Sequence, residues 1–149
     1  GAGRFRGGMG ISKVFRALAD CTFNCAFDRT ACPPWGLNGG LAGRPQGGEI
    51  ESVSGEKRTV LKTSGTPLRA GERVHVHTGG GGGYGSPLER DPEAVRLDVL
   101  RRYVSEASAR EHYGVVLDAQ GAVDGPGTAD LRAAMKNTRQ STKQEEEAT

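Results

Sequence analysis

The sequence predicts an α+β fold: a β-rich first half with glycine-rich loops, then two or three short helices, together forming part of a larger split domain. Three observations predict it. The stretch ISKVFRALADCTFNCAF (Ile11 to Phe27) is rich in β-branched, aromatic and apolar residues and holds no proline. From Asp91 onward the apolar period becomes helical, with Val95, Val99 and Leu100 at i, i+4 and i+5. Finally, core material is scarce: of 149 residues only 35% are hydrophobic, 24 are glycine, and the aromatic residues are one Trp, three Tyr and four Phe. Glycine loses more backbone entropy on folding than any other residue. A chain of this kind is marginal alone and is expected to bury part of its surface against a partner.

The elements follow in order. After the β-rich stretch comes PPWGLNGGLAGRPQGG (Pro33 to Gly48), too dense in turn residues to hold regular structure. Short strands are expected at Glu49 to Val53, Arg58 to Lys62 and Arg73 to Thr78, the last entered through the turn Ala70-Gly71-Glu72. Asp91 is placed to cap a first helix, with Pro92 at its first position and Glu93 in its first turn. Ser105 caps a second, which Gly114 ends. A short strand is expected at Val115 to Asp118 and a third helix from about Gly127 to Lys136, with Leu131 and Met135 one turn apart. Residues 1–136 make the folded region, and 137–149 (NTRQSTKQEEEAT) read as a polar, unstructured tail.

Charge and patterning exclude several classes of partner. The formal net charge is +2, with Lys and Arg interspersed among Asp and Glu. No basic stripe interleaved with aromatics marks a nucleic-acid surface. No apolar run approaches the ~20 residues that span a bilayer. GAGRFRGGMG lacks the apolar core of a signal peptide. An odd number of cysteines, three, suits a reducing compartment, so a cytoplasmic protein is expected.

Three motifs could carry chemistry. Gly79 to Gly83 place five glycines between a strand and a helix. A Walker-type phosphate loop needs a Lys and a hydroxyl residue after its last glycine, whereas Tyr84, Gly85, Ser86 and Pro87 follow here, and the helix waits until Asp91. The run therefore reads as a place where backbones pass too closely for side chains. His75 and His77 share one strand face. They are either a metal pair or polar residues on the exposed face of a half-buried strand. Cys21, Cys25 and Cys32 are spaced C-x3-C-x6-C, off the usual zinc knuckles. On one extended strand the first two Cα atoms would lie about 13 Å apart, from four steps of ~3.3 Å. A turn at Thr22-Phe23-Asn24 would bring them together; otherwise they are small buried hydrophobes. In the zinc reading the three cysteines and one of the two histidines supply four ligands. Trp35, the single tryptophan, lies in the turn-dense segment after two prolines and is expected to anchor an interface or to lie as a lid over this chain's own strands.

Four stretches in fixed order carry a resemblance: GAGRFRGGMGI (Gly1 to Ile11), PPWGLNGG (Pro33 to Gly40), GGGGYGSPLERDPEAV (Gly80 to Val95) and AREHYGVVLD (Ala109 to Asp118). Over roughly Gly1 to Met135 the chain resembles the C-terminal part of the hydantoinase B/oxoprolinase family. That family includes B-type subunits of ATP-dependent hydantoinases, part of 5-oxoprolinase, and subunits of acetone and acetophenone carboxylases. The resemblance implies a division of labour. An A-type subunit with an actin-like kinase fold binds ATP, with Mg or Mn, and phosphorylates the substrate oxygen. The B-type part supports hydrolysis or carboxylation of the activated species. Family members run to several hundred residues, with the GAGRFRGG motif deep inside, and demand neither the cysteines nor the His-x-His. No catalytic or cofactor-binding residue carries over onto this chain. The expectation is a small subunit that completes a B-type body in an ATP-dependent ketone carboxylase complex, with a larger B-type subunit and A-type kinase-like subunits as partners. A hydantoinase or oxoprolinase amidohydrolase and a non-catalytic zinc-carrying subunit are the alternatives.

Overall fold

Strands fill the first half and helices the second in the computed structural model, which describes the backbone of residues 1–147 and side-chain surroundings to residue 138. The strands are β1 (Ser12–Arg16), β2 (Cys21–Ala26), β3 (Gly47–Glu51), β4 (Lys57–Val60), β5 (Lys62–Leu68) and β6 (Arg73–His77). A 3-10 turn, Pro87–Glu89, leads into α1 (Pro92–Leu100), α2 (Glu106–Tyr113) and α3 (Gly125–Glu147). The fold is α+β, as expected.

All pairings between these strands are antiparallel, and they form two sheets. One has four strands in the order β1-β6-β3-β4; β2 and β5 form a separate ribbon. Alternation along β6 sends Val74 inward and its neighbours Arg73 and His75 to the other face. Val74 meets Ile50, Val60 and Leu68 in a small core, with Phe23 and Cys25 of the ribbon packed against it. The second core holds the helices to the start of the chain: Val95, Ala109, Tyr113 and Val115 enclose Ala2.

The β-rich stretch Ile11 to Phe27 is two strands rather than one. The chain reverses at Ala17 to Asp20, and the Asp20 carboxylate holds the turn by accepting from Ala70 N and from Arg69 Nη1. β1 and β2 then join different sheets. The expected strand Arg58 to Lys62 likewise divides at Leu61, so that β4 pairs with β3 and β5 with β2. Gly65 and Pro67 hide β5 from a propensity reading. Gly65 sits at φ +69°, beside a register shift opposite Phe23 and Cys25, and Asn24 Oδ1 accepts its N–H. Pro67 is tolerated because the ribbon has edges on both sides.

The helices start where their caps predict. Asp91 accepts from the N–H groups of Glu93 and Ala94, and Ser105 from that of Ser108. Gly114 ends α2 in the left-handed region at φ 60°. Two boundaries differ. Val115 to Asp118 forms no strand, only an isolated bridge from Leu117 to Val123. α3 begins two residues early, because Asp124 accepts from Gly127 N and so caps a helix whose first turn accommodates Pro126. Its backbone continues to Glu147, into the stretch 137–149 read as an unstructured tail, through good helix formers such as Lys143, Gln144 and Glu145. Side chains from 139 onward lie outside the described residues.

Candidate functional site

Three glycine-rich segments, residues 1–10, 36–44 and 79–85, run against one another outside the regular sheets. Their backbones are joined directly. Leu41 N–H donates to Ala2 O, Gly83 N–H to Leu41 O, Leu37 N–H to Gly83 O and Gly81 N–H to Gly8 O. Phe5 and Tyr84 exchange a reciprocal pair at 2.9 Å each way. The contacts leave no space for side chains. A Cβ on Gly82 would lie 1.9 Å from Trp35 O, and one on Gly83 2.0 Å from Ala2 O. None of Gly79 to Gly83 has a positive φ; Gly85, just beyond, does. The run is therefore explained by proximity, not by left-handed backbone, and the N–H groups of Gly80, Gly81 and Gly83 are taken by neighbouring carbonyls.

Beside this stack lies a cleft of about 660 Å³, walled by the glycine segments, by Tyr103 and Val104, and by α2 from Ser105 to Tyr113. Arg6, Arg44, His77, His112, Tyr103 and Tyr113 line it. Arg6 is held firmly. Its Nε donates to Asp98 Oδ2 at 3.2 Å, and its guanidinium carbon stands 5.1 Å from the Tyr103 ring centre. Asp98 is 6% exposed and also accepts from Arg90 Nη2 at 2.9 Å. Two guanidinium groups thus share one carboxylate. Arg90 Nε is buried with no hydrogen-bond partner among the described residues, and Arg132 donates to the carbonyls of Tyr113 and Arg90. Burial, opposed by the nearby Arg90 and Arg6, raises the Tyr113 phenol above its ordinary value, and burial lowers the Arg132 guanidinium. Sequence reasoning missed Asp98 because it sits beside the predicted stripe of α1. The structure buries Val95 and turns Leu100 out to 70% exposure, rotating the inward face toward Asp98.

The five residues of the zinc reading do not converge. Cys21 and Cys25 lie on one extended strand of the ribbon, Cys32 is in the following loop, and His75 and His77 are on β6 in the other sheet. Among the described residues no group of three or more His, Cys, Asp or Glu side chains could hold a metal ion. Nor are all three cysteines buried hydrophobes: Cys21 and Cys32 are exposed, and only Cys25 packs on the core. His75 Nε2 instead pairs with Glu51 Oε2 at 2.5 Å. His77 occupies the space over Gly47, where a Cβ would come within 2.8 Å of its Nε2.

The Trp35 side chain is 64% exposed, with the Arg29 guanidinium carbon 5.0 Å from its ring centre. Phe5, Leu37 and Tyr84 are exposed as well, at 60%, 56% and 49%, where the glycine stack meets solvent. Among the described residues no helix is long and apolar enough to cross a membrane.

These features define an α+β chain with two small cores, an apolar surface left open and a cleft lined by glycine backbone and by Arg, His and Tyr side chains. A profile described as hydantoinase B/oxoprolinase matches residues 1–87. The chain belongs to the hydantoinase B/oxoprolinase family. It is 35% identical over 142 residues to the caprolactamase beta chain of Pseudomonas jessenii, covering 90% of this chain and 24% of that one. It is 32% identical over 138 residues to the B component of a putative D-/L-hydantoinase of Pseudomonas sp. strain NS671, covering 87% and 22%. With the alpha chain of the acetone carboxylase of Xanthobacter autotrophicus it shares 47% identity, but over 64 residues, 40% of this chain and 8% of that one. Among solved structures, the ATP-dependent caprolactamase of P. jessenii superposes with a TM-score of 0.73 at 32% identity over 89% of this chain and 24% of its own. A nucleotide-free acetone carboxylase gives 0.58 at 27% identity over 72% and 19%. The chain thus spans about a quarter of the hydantoinase and caprolactamase polypeptides it matches.

Proposed function

We propose that these residues form the C-terminal part of a B-type component in an ATP-dependent complex that opens cyclic amides. The observation that carries the reading is the extent of similarity. To the caprolactamase beta chain it runs through 90% of the chain, helices included, whereas to the acetone carboxylase alpha chain it covers 40%. Ketone carboxylation is the second reading, supported by the higher identity within that shorter stretch. In both, ATP with Mg or Mn is bound by an A-type kinase-like partner, and this segment completes a B-type body whose larger part lies outside these 149 residues. The closely packed glycine run fits that assignment, because the N–H groups of Gly80, Gly81 and Gly83 are bonded to the carbonyls of Arg44, Gly8 and Leu41.

The test is turnover by the complex purified from its source with this chain present. ATP-dependent ring opening of a lactam or hydantoin, without ketone consumption, is expected. ATP-dependent uptake of bicarbonate into a ketone, with no ring opening, would give the function to the second reading. Purification of the chain with no other polypeptide would overturn both.

A further inference from the structure

We propose that the cleft beside the glycine stack binds a small oxyanion, a phosphate or carboxylate group, between Arg6 and Arg44. The proposal goes beyond the amide-opening reading and does not depend on it. Its first ground is charge. The chain as a whole nearly balances 20 Lys and Arg against 18 Asp and Glu. Among the described residues, the side chains around the cleft include Arg6, Arg44, His77 and His112 and not one Asp or Glu. Behind the wall, Arg6 and Arg90 share the single Asp98 carboxylate, so the half-buried trio keeps about one uncompensated positive charge. Burying unbalanced charge is costly, and an anion in the cleft would offset it.

The second ground is geometry. Asp98 and the Tyr103 ring fix the Arg6 guanidinium in place, so little side-chain entropy remains to be lost on binding. Arg44 extends from the second glycine segment with no ion-pair partner among the described residues, and its carbonyl is tied to Gly80 N–H. Ser105 and Ser108 line the same cleft at the start of α2, where the helix dipole favours negative charge. Arg6 supplies fixed positive charge, its Nε and Nη2 turned to Asp98 and its Nη1 donating to Gly7 O, while the planar fork of Arg44 matches the paired oxygens of either oxyanion.

The experiment is calorimetric titration of the assembled complex with inorganic phosphate and, separately, with acetate, at constant ionic strength with chloride as reference. Saturable binding of one or both is expected, weakened roughly tenfold or more in Arg44→Gln, as loss of a charge-assisted hydrogen bond implies. Arg6→Lys keeps the charge but loses the two-nitrogen hold on Asp98 that fixes it in the cleft wall, and should also weaken binding. Tighter phosphate than acetate binding points to a phosphoryl ligand, and the reverse order to a carboxylate; either supports the shared chemistry. No saturable binding of either anion overturns the proposal, including the case in which an acidic side chain of a partner polypeptide already fills the cleft. So does unchanged affinity in Arg44→Gln. If Arg6→Lys fails to assemble, Arg44→Gln decides alone, because among the described residues the exposed Arg44 side chain has no ion-pair partner to lose. Binding is read without turnover, so failure here and failure of the amide-opening reading are separable.

Discussion

Gly82 and Gly83 tolerate no side chain, because the atoms a Cβ would strike are the backbone oxygens of Trp35 and Ala2, which cannot swing aside. Gly81 is looser, its nearest neighbour being Gly8 N at 3.1 Å. Alanine at Gly82 or Gly83 should therefore destabilise by about 3 kcal/mol or more, the upper range of overpacking, and alanine at Gly81 by less. Gly81→Val, with two further methyl groups, should disrupt folding or docking without a selective loss of ATP affinity. Thermal melts of the assembled complex order these variants; equal melting of Gly82→Ala and wild type would remove the packing account. Glu51 supplies a second test. Its hydrogen bond with His75, then that with Arg73, outweighs partial desolvation and holds the carboxyl below its ordinary value. A lowered acid contributes stability above its unfolded pKa, ~4.3 for Glu, and loses it as pH falls through the folded value. Melting temperature should drop on acidification through that window, and Glu51→Gln should flatten the drop. Parallel curves for the two proteins would show that the pair adds nothing.

At the scale of elements, the helix boundaries were legible because caps act locally. Asp91, Ser105 and Gly114 each do what their residue types prefer, regardless of what packs above them. Ser105→Ala should cost about 1 kcal/mol by freeing the Ser108 N–H. Gly114→Ala should cost roughly 1–2 kcal/mol for the left-handed backbone, with further strain because Arg132 Cγ lies 2.8 Å from the new Cβ. Urea unfolding of the complex measures both; a Gly114→Ala variant as stable as Ser105→Ala or more so would contradict the reading of that cap. Strands were less legible. β5 carries Gly65 and Pro67, and its existence depends on β2 offering a ladder from 41 residues away in sequence at Asn24. The expected strand at Val115 to Asp118 had the right composition but no neighbour to pair with beyond one bridge.

The whole molecule leaves much of its apolar material outside. Trp35, Phe5, Leu37, Val53 and Leu100 are each more than half exposed, while the two cores hold five and four buried residues. Exposed apolar material of this extent marks a surface for another polypeptide. Trp35→Ala should weaken association with the partner polypeptides by about 2 kcal/mol, a hot-spot value, more than Arg29→Ala or Val53→Ala does. Equal affinity of the Trp35 variant in pull-down or sedimentation experiments would assign the ring to a lid over its own strands. The same surface predicts that heating the lone chain gives a broad circular-dichroism transition that sharpens when its partners are present.

What the sequence determined by itself was local or compositional. The order of strands before helices, the caps, the glycine run as a packing device and the family kinship all rest on residues a few positions apart, or on motifs that can be quoted. Tertiary structure alone decided which distant residues meet. It placed Cys21 and Cys25 in one sheet, Cys32 in a loop and His75 and His77 in the other sheet, divided the β-rich stretch between two sheets, and rotated α1 so that Asp98, not Leu100, faces inward toward Arg6 and Arg90. The reason is physical. A cap or a turn is set by energies between neighbours along the chain, whereas a shared carboxylate 92 residues from Arg6 is set by the packing of whole elements, which no short window of sequence contains.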